Sequence, residues 1–67
     1  MTATLNPDKL RERRRRRRLT QQGLAAAAGL SVSIISKWER GLVSEPHFGT
    51  VDRVAEVLKV KPKDLML

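Results

Sequence analysis

The chain has 67 residues, 14 Lys and Arg against 7 Asp and Glu for a formal net charge of +7, one histidine and no cysteine. A chain this short is one domain near the lower size limit for folding unaided, and without cysteine neither a disulfide nor a thiolate metal site supports it. No apolar run approaches the ~18–20 residues a membrane span needs, and the first residues lack the apolar centre of a signal peptide; the expectation is a cytoplasmic protein with no membrane contact. The position of the charge says more than its size. Residues 11–18 hold seven arginines and Glu12, which is +6 of the +7. Basicity this concentrated attracts a polyanion such as nucleic acid or an anionic membrane surface. Trp38 and Phe48 are the only aromatics, too few for a single-strand binder that stacks successive bases.

Residues 1–5 read as a disordered N-terminus and 6–67 as the single domain. Asn6-Pro7-Asp8 opens a first helix: Asn6 caps, Pro7 suits the first turn, and Asp8 favours the positive end of the dipole. This helix runs from Pro7 to about Arg17. Leu10 points inward, but Arg13, Arg14 and Arg17 share its side, so arginine stems must lie along the core with their heads paired or in solvent. Leu19 anchors the connection. A second helix spans Gln21–Ala28 behind the cap Thr20, with Leu24 and Ala28 on one face and Ala25 beside them. Gly23 inside it costs roughly 0.5–1 kcal/mol relative to alanine, with no compensating benefit visible in the sequence. Gly29 suits the left-handed position that stops a helix.

A third helix spans Val32–Arg40, capped by Ser31. Ile35, Trp38 and Leu42 fall on one side; Ser33, Ser36, Lys37 and Arg40 fall on the other. Such a wet face suits base edges and phosphates, and periodicity alone fits an ordinary solvated face equally well. Leu42–Pro46 is a loop, with Glu45 disfavoured from helix by the proline after it. A fourth helix, from about His47 to Leu58, buries Phe48, Val51, Val54, Ala55 and Leu58 at i, i+3, i+4 spacing. Lys61-Pro62 opens a last turn or short helix, and Leu65 and Val60 close the core. The fold class is all-α, five short helices in a compact domain.

Thr20 to Gly41 is two short helices crossing at a glycine turn, the arrangement whose second helix enters the DNA major groove. The segment LTQQGLAAAAGLSVSIISKWERG, followed by Pro46 and TVDRVAEVLKVKPKDL, resembles the phage-repressor-type helix-turn-helix family, the Cro/repressor or xenobiotic-response-element group. The likeness covers about Leu10 to Leu65. It implies a repressor-like domain whose second and third helices form the helix-turn-helix. It implies phosphate contacts at Gln21 and Ser31, with base edges facing Val32, Ser33 and Lys37. Lys37 would donate to guanine, Val32 would pack on a thymine methyl, and Ser33 is permissive. The resemblance also pairs Arg14 with Glu39, tying the first helix to the third and leaving guanidinium protons for a phosphate. Arg40 reaches either phosphate or solvent. Trp38 shares a side with Ile35 and belongs to the core.

The chain departs from the family pattern in several places. Arg13 and Arg17 replace one usually aliphatic and one variable residue of the first helix. Arg18 and Lys59 replace frequent glycines. The loop after the third helix lacks the usual basic residues. The implied function is a sequence-specific regulator that binds double-stranded DNA as a homodimer on a palindromic operator, with the third helix (about 32–40) in the major groove. The alternative is an antitoxin-type module that binds a small protein partner as well as DNA. A cationic membrane-surface or RNA-binding peptide would need an apolar face opposite the arginines, and Leu10 offers little of one. His47 is the only histidine, Asp52 and Glu56 read as a solvated face, and no nucleophile–base pair, metal spacing or phosphate loop is present. No enzyme activity, metal, cofactor or small-molecule ligand is expected.

Overall fold

The computed structural model describes residues 4–43 and 47–67, with Phe48 described by its backbone alone. Among these residues the chain forms α1 (Pro7–Arg16), α2 (Gln21–Ala28), α3 (Val32–Glu39) and α4 (Phe48–Leu58), then a 3-10 turn at Pro62–Leu65. Part of the expected disordered segment (1–3), the Glu45–Pro46 step and the side chain of Phe48 lie outside the described residues.

The three expected caps form. The side chain of Asn6 accepts from Lys9 N–H at 3.3 Å, Thr20 Oγ1 from Gly23 N–H at 2.9 Å and Ser31 Oγ from Ile34 N–H at 3.3 Å. Each satisfies one of the free donors of a first turn and contributes about 1 kcal/mol. The Thr20 bond also accounts for Gly23, because a Cβ at that position would meet Thr20 Oγ1 at 3.2 Å. The glycine leaves room for the cap that starts its own helix.

The four helices end alike. The residue after each final turn is left-handed: Arg18 (φ 56°), Gly29 (φ 70°), Gly41 (φ 75°) and Lys59 (φ 59°). The N–H that follows bonds back five residues, Leu19 to Arg14, Leu30 to Ala25, Leu42 to Lys37 and Val60 to Ala55, at 2.8–3.2 Å. This is the Schellman stop, normally made by glycine and closed by an apolar residue. Leu19, Leu30 and Val60 pack against the core. Leu42 does not: it is 65% exposed, because Gly41 turns the chain away before the side shared by Ile35 and Trp38 continues. A non-glycine residue held left-handed costs on the order of 1 kcal/mol. Lys59→Gly is therefore expected to stabilise the domain by about that amount, raising Tm by roughly 4–8 °C. An unchanged or lower melting point would show that the lysine stem offsets the strain.

Leu10, Leu24, Ile35, Trp38, Val54 and Leu58 are buried from solvent and make one core. Two expectations need correction. The fifth helix is only a four-residue 3-10 turn, opened by Pro62 and by Lys61 N–H donating to Asp64 Oδ2 at 3.0 Å. It stops because the backbone beyond it is used elsewhere. Asn6 N–H donates to the Leu65 carbonyl at 2.9 Å, Leu67 N–H to the Thr4 carbonyl at 2.8 Å, and Leu5 bridges Met66 antiparallel. The same pairing corrects the disordered N-terminus at its inner end. Leu5 is 3% exposed and part of the core.

Candidate nucleic-acid interface

Gly29, Leu30 and the cap Ser31 join α2 to α3, and the two helices pack closely. The alanines of α2 permit this: Ala25 and Ala28 are buried, and α2 packs on both α3 and α4. Ile35 and Trp38 turn α3 inward, so Ser31, Val32, Ser33, Lys37 and Arg40 all stand exposed. Val32, at 41%, is an apolar group held in water beside a serine and a lysine. Ser33 and Lys37, four residues apart, stand one above the other on that face. Ile34 is exposed as well and had no place in the sequence reading. Its three-residue spacing to Lys37 put it near the same surface. It lies towards Val43, His47 and Thr50 in a shallow apolar depression.

Behind this face sits a buried carboxylate. Glu39 is 4% exposed. Its Oε2 accepts from Arg14 Nε at 2.6 Å and its Oε1 from Arg14 Nη2 at 2.9 Å, a two-pronged pair of the strong, geometrically specific kind. The third prong of Arg14, Nη1, donates to the Leu19 carbonyl at 2.8 Å. One guanidinium thus joins α1, the α1–α2 connection and α3. Burial pushes the Glu39 carboxyl up, but the hydrogen bonds from Arg14 and Gln21 and the charges of Arg14 and Arg11 outweigh it and hold the group below the usual carboxylate range. The bond to Glu39 raises the Arg14 guanidinium in turn.

The sequence-predicted positions divide on this geometry. Val32, Ser33, Lys37, Ser31 and Arg40 share the open face. Gln21 is half-buried and its Nε2 donates inward to Glu39 Oε1 at 3.3 Å, while the first turn of α2 leaves backbone N–H groups without a partner inside the helix. Arg14 faces inward, with a side chain only 13% exposed and three donors already engaged. Arg40 folds back over the end of α3, Nε donating to the Ser36 carbonyl at 3.4 Å. Arg11 was missed as an individual. It donates to the Glu39 carbonyl at 2.7 Å and to Asp8 Oδ1 at 3.1 Å, placing a cation at the negative end of the α3 dipole. Its spacing of three from Arg14 was the available signal.

The helix-turn-helix family HTH_3 matches residues 10–65. RghRB of Bacillus subtilis (strain 168), an uncharacterized HTH-type transcriptional regulator, is 46% identical over 57 residues, which is 85% of this chain and 41% of RghRB. The chain thus spans under half of that relative. Among solved structures, SinR, the master regulator for biofilm formation, in complex with DNA is similar at TM-score 0.84 and 27% identity, over 88% of this chain and 94% of that one. SinR in its complex with SinI is similar at the same score and identity, over 88% of this chain and 57% of that one. The P22 c2 repressor in complex with a synthetic operator is similar at TM-score 0.81 and 29% identity, over 88% of each chain.

Proposed function

The chain belongs to the phage-repressor-like helix-turn-helix family, and we propose that it is a sequence-specific transcription regulator that reads double-stranded DNA as a homodimer, acting in the cytoplasm. In this reading α3 lies in the major groove, Lys37 donates to guanine O6 or N7, Val32 packs on a thymine methyl and Ser33 fits between them. Gln21, Ser31 and Arg40 hold phosphate, helped by the positive end of α2. Arg14 holds α3 at its working angle and has only its remaining donors to give to the backbone. The observation that carries the proposal is the exposed face of Val32, Ser33 and Lys37, fixed from behind by the buried Glu39. Two such domains on a two-fold axis would meet half-sites about 10 bp apart, so the operator is palindromic. SinR has structures both with DNA and with SinI, and a regulator that also binds a protein partner is the second reading.

Selection of bound sites from random duplex DNA, with the mass of the complex measured in parallel, tests operator, symmetry and stoichiometry together. Non-palindromic selected sites bound by a monomer would refute the dimer. On the selected site, Lys37→Ala is expected to weaken binding by roughly 1–3 kcal/mol and to relax preference at one base pair. A uniform loss across all sequences would remove Lys37 from base reading and leave it a phosphate contact.

A further inference from the structure

The geometry points to a second docking surface, on the flank of α1 away from α3, shaped for an acidic protein segment that carries an apolar side chain between its carboxylates. At 100° per residue, the arginines of α1 divide between two flanks. Arg11 and Arg14 are bound to α3. Arg17 turns the other way and donates from Nε to the Leu58 carbonyl at 3.2 Å, at the end of α4. This bond brings the ends of α1 and α4 together. Arg13, Arg16 and Arg17 then share with Lys59 a half-open cleft of about 260 Å³, also lined by Leu58 and Val60.

Among the described residues the lining has six members, of which four are cations and none is an acid. Glu12, one turn back on α1, meets Arg16 at 3.5 Å with both side chains in solvent, a pairing that an incoming carboxylate displaces at little cost. Arg13 Nε is enclosed and has no hydrogen-bond acceptor among the described residues. Lys59 holds its charge at a left-handed position where glycine would be unstrained.

The lining also selects between anions. A duplex backbone offers a ridge of phosphates met chiefly by hydrogen bonds from polar and charged groups. Here Leu58, Val60 and the arginine stems give the cleft an apolar floor, which a leucine-like side chain fills while flanking carboxylates take the guanidinium forks. Since α3 packs on the other flank of α1, such a partner leaves the DNA-reading face open. The inference goes beyond DNA reading and does not depend on it.

The test uses the whole chain and a short fluorescein-labelled peptide of repeating Glu-Glu-Leu, with a repeating Glu-Glu-Ser peptide as comparison. The double variant Arg16→Ser/Lys59→Gly is set against Arg15→Ser/Arg40→Ser, which removes equal charge elsewhere. The cleft pair is expected to weaken Glu-Glu-Leu binding about tenfold and the control pair less than about threefold, with the serine peptide binding several-fold more weakly throughout. In NMR spectra of the unaltered protein, the peptide is expected to shift Arg13 Nε–H and the amides of Leu58 to Val60. Equal losses from the two pairs, or shifts confined to α3, would overturn the proposal. So would loss of duplex binding in the cleft pair with peptide binding intact, which assigns the cleft to the DNA backbone. Peptide binding is measured without DNA, so a failure of DNA reading shows separately, in the duplex titration.

Discussion

Glu39→Ala is expected to remove about 3–5 kcal/mol of folding stability, the usual cost of breaking a buried pair from one side. A domain of this size has total stability of roughly 0.05–0.15 kcal/mol per residue, so the variant should lose from about a third to all of it and melt at a much lower temperature. The cause is what remains. Arg14, mostly buried, would keep its bond to the Leu19 carbonyl and lose two of its three acceptors, while Gln21 would lose its own. Thermal melting followed by circular dichroism checks this, and an unchanged melting point would show that the pair gives no net stability. The sign of the pH dependence follows from the same site. The folded carboxyl lies below its unfolded value, about 4.3 for glutamate. Between the two values the unfolded chain binds the proton and the folded chain does not. The stabilisation is therefore complete above about pH 4.3 and lost as pH falls through the folded value. Glu39→Gln keeps the shape and should flatten that acid limb; an equally steep limb in the variant would assign it to other carboxylates.

Leu5→Ala is expected to cost roughly 2–5 kcal/mol, the range for removing a buried leucine side chain. Leu5 is buried within the core and its neighbours are tied to the C-terminal segment by two backbone hydrogen bonds. A free N-terminal tail would give almost no change, so urea unfolding separates the two cases. Slow hydrogen exchange at Asn6 N–H, beyond that of an exposed first-turn amide such as Ser33 N–H, would locate the effect in the pairing of the two ends rather than in packing alone.

The two sites differ in how far local sequence chemistry specifies them. The Arg14–Glu39 pair was legible only through family resemblance. Periodicity placed Arg14 beside Leu10 on the inner side of the first helix, but nothing local says which carboxylate, 25 residues on, will meet it. The Leu5–Met66 bridge gave no signal, since a lone leucine before a helix cap looks the same whether buried or free.

What the sequence by itself determined is what short-range chemistry decides. Asn6, Thr20 and Ser31 cap helices because each side chain needs only an N–H three residues ahead. Gly29 stops α2 because its own φ is the requirement. The stripe of Val51, Val54 and Leu58 buries itself because helical spacing puts it on one face. Tertiary structure decided the rest. Six consecutive arginines are one residue type to any local rule, yet Arg14 becomes an internal strut, Arg17 a cap on α4 and Arg13 the wall of a cleft. The last turn stays a 3-10 turn because a distant strand-like segment takes its carbonyl. Those outcomes depend on which chain segments meet in space, and burial of one common core, rather than any neighbouring residue, sets that.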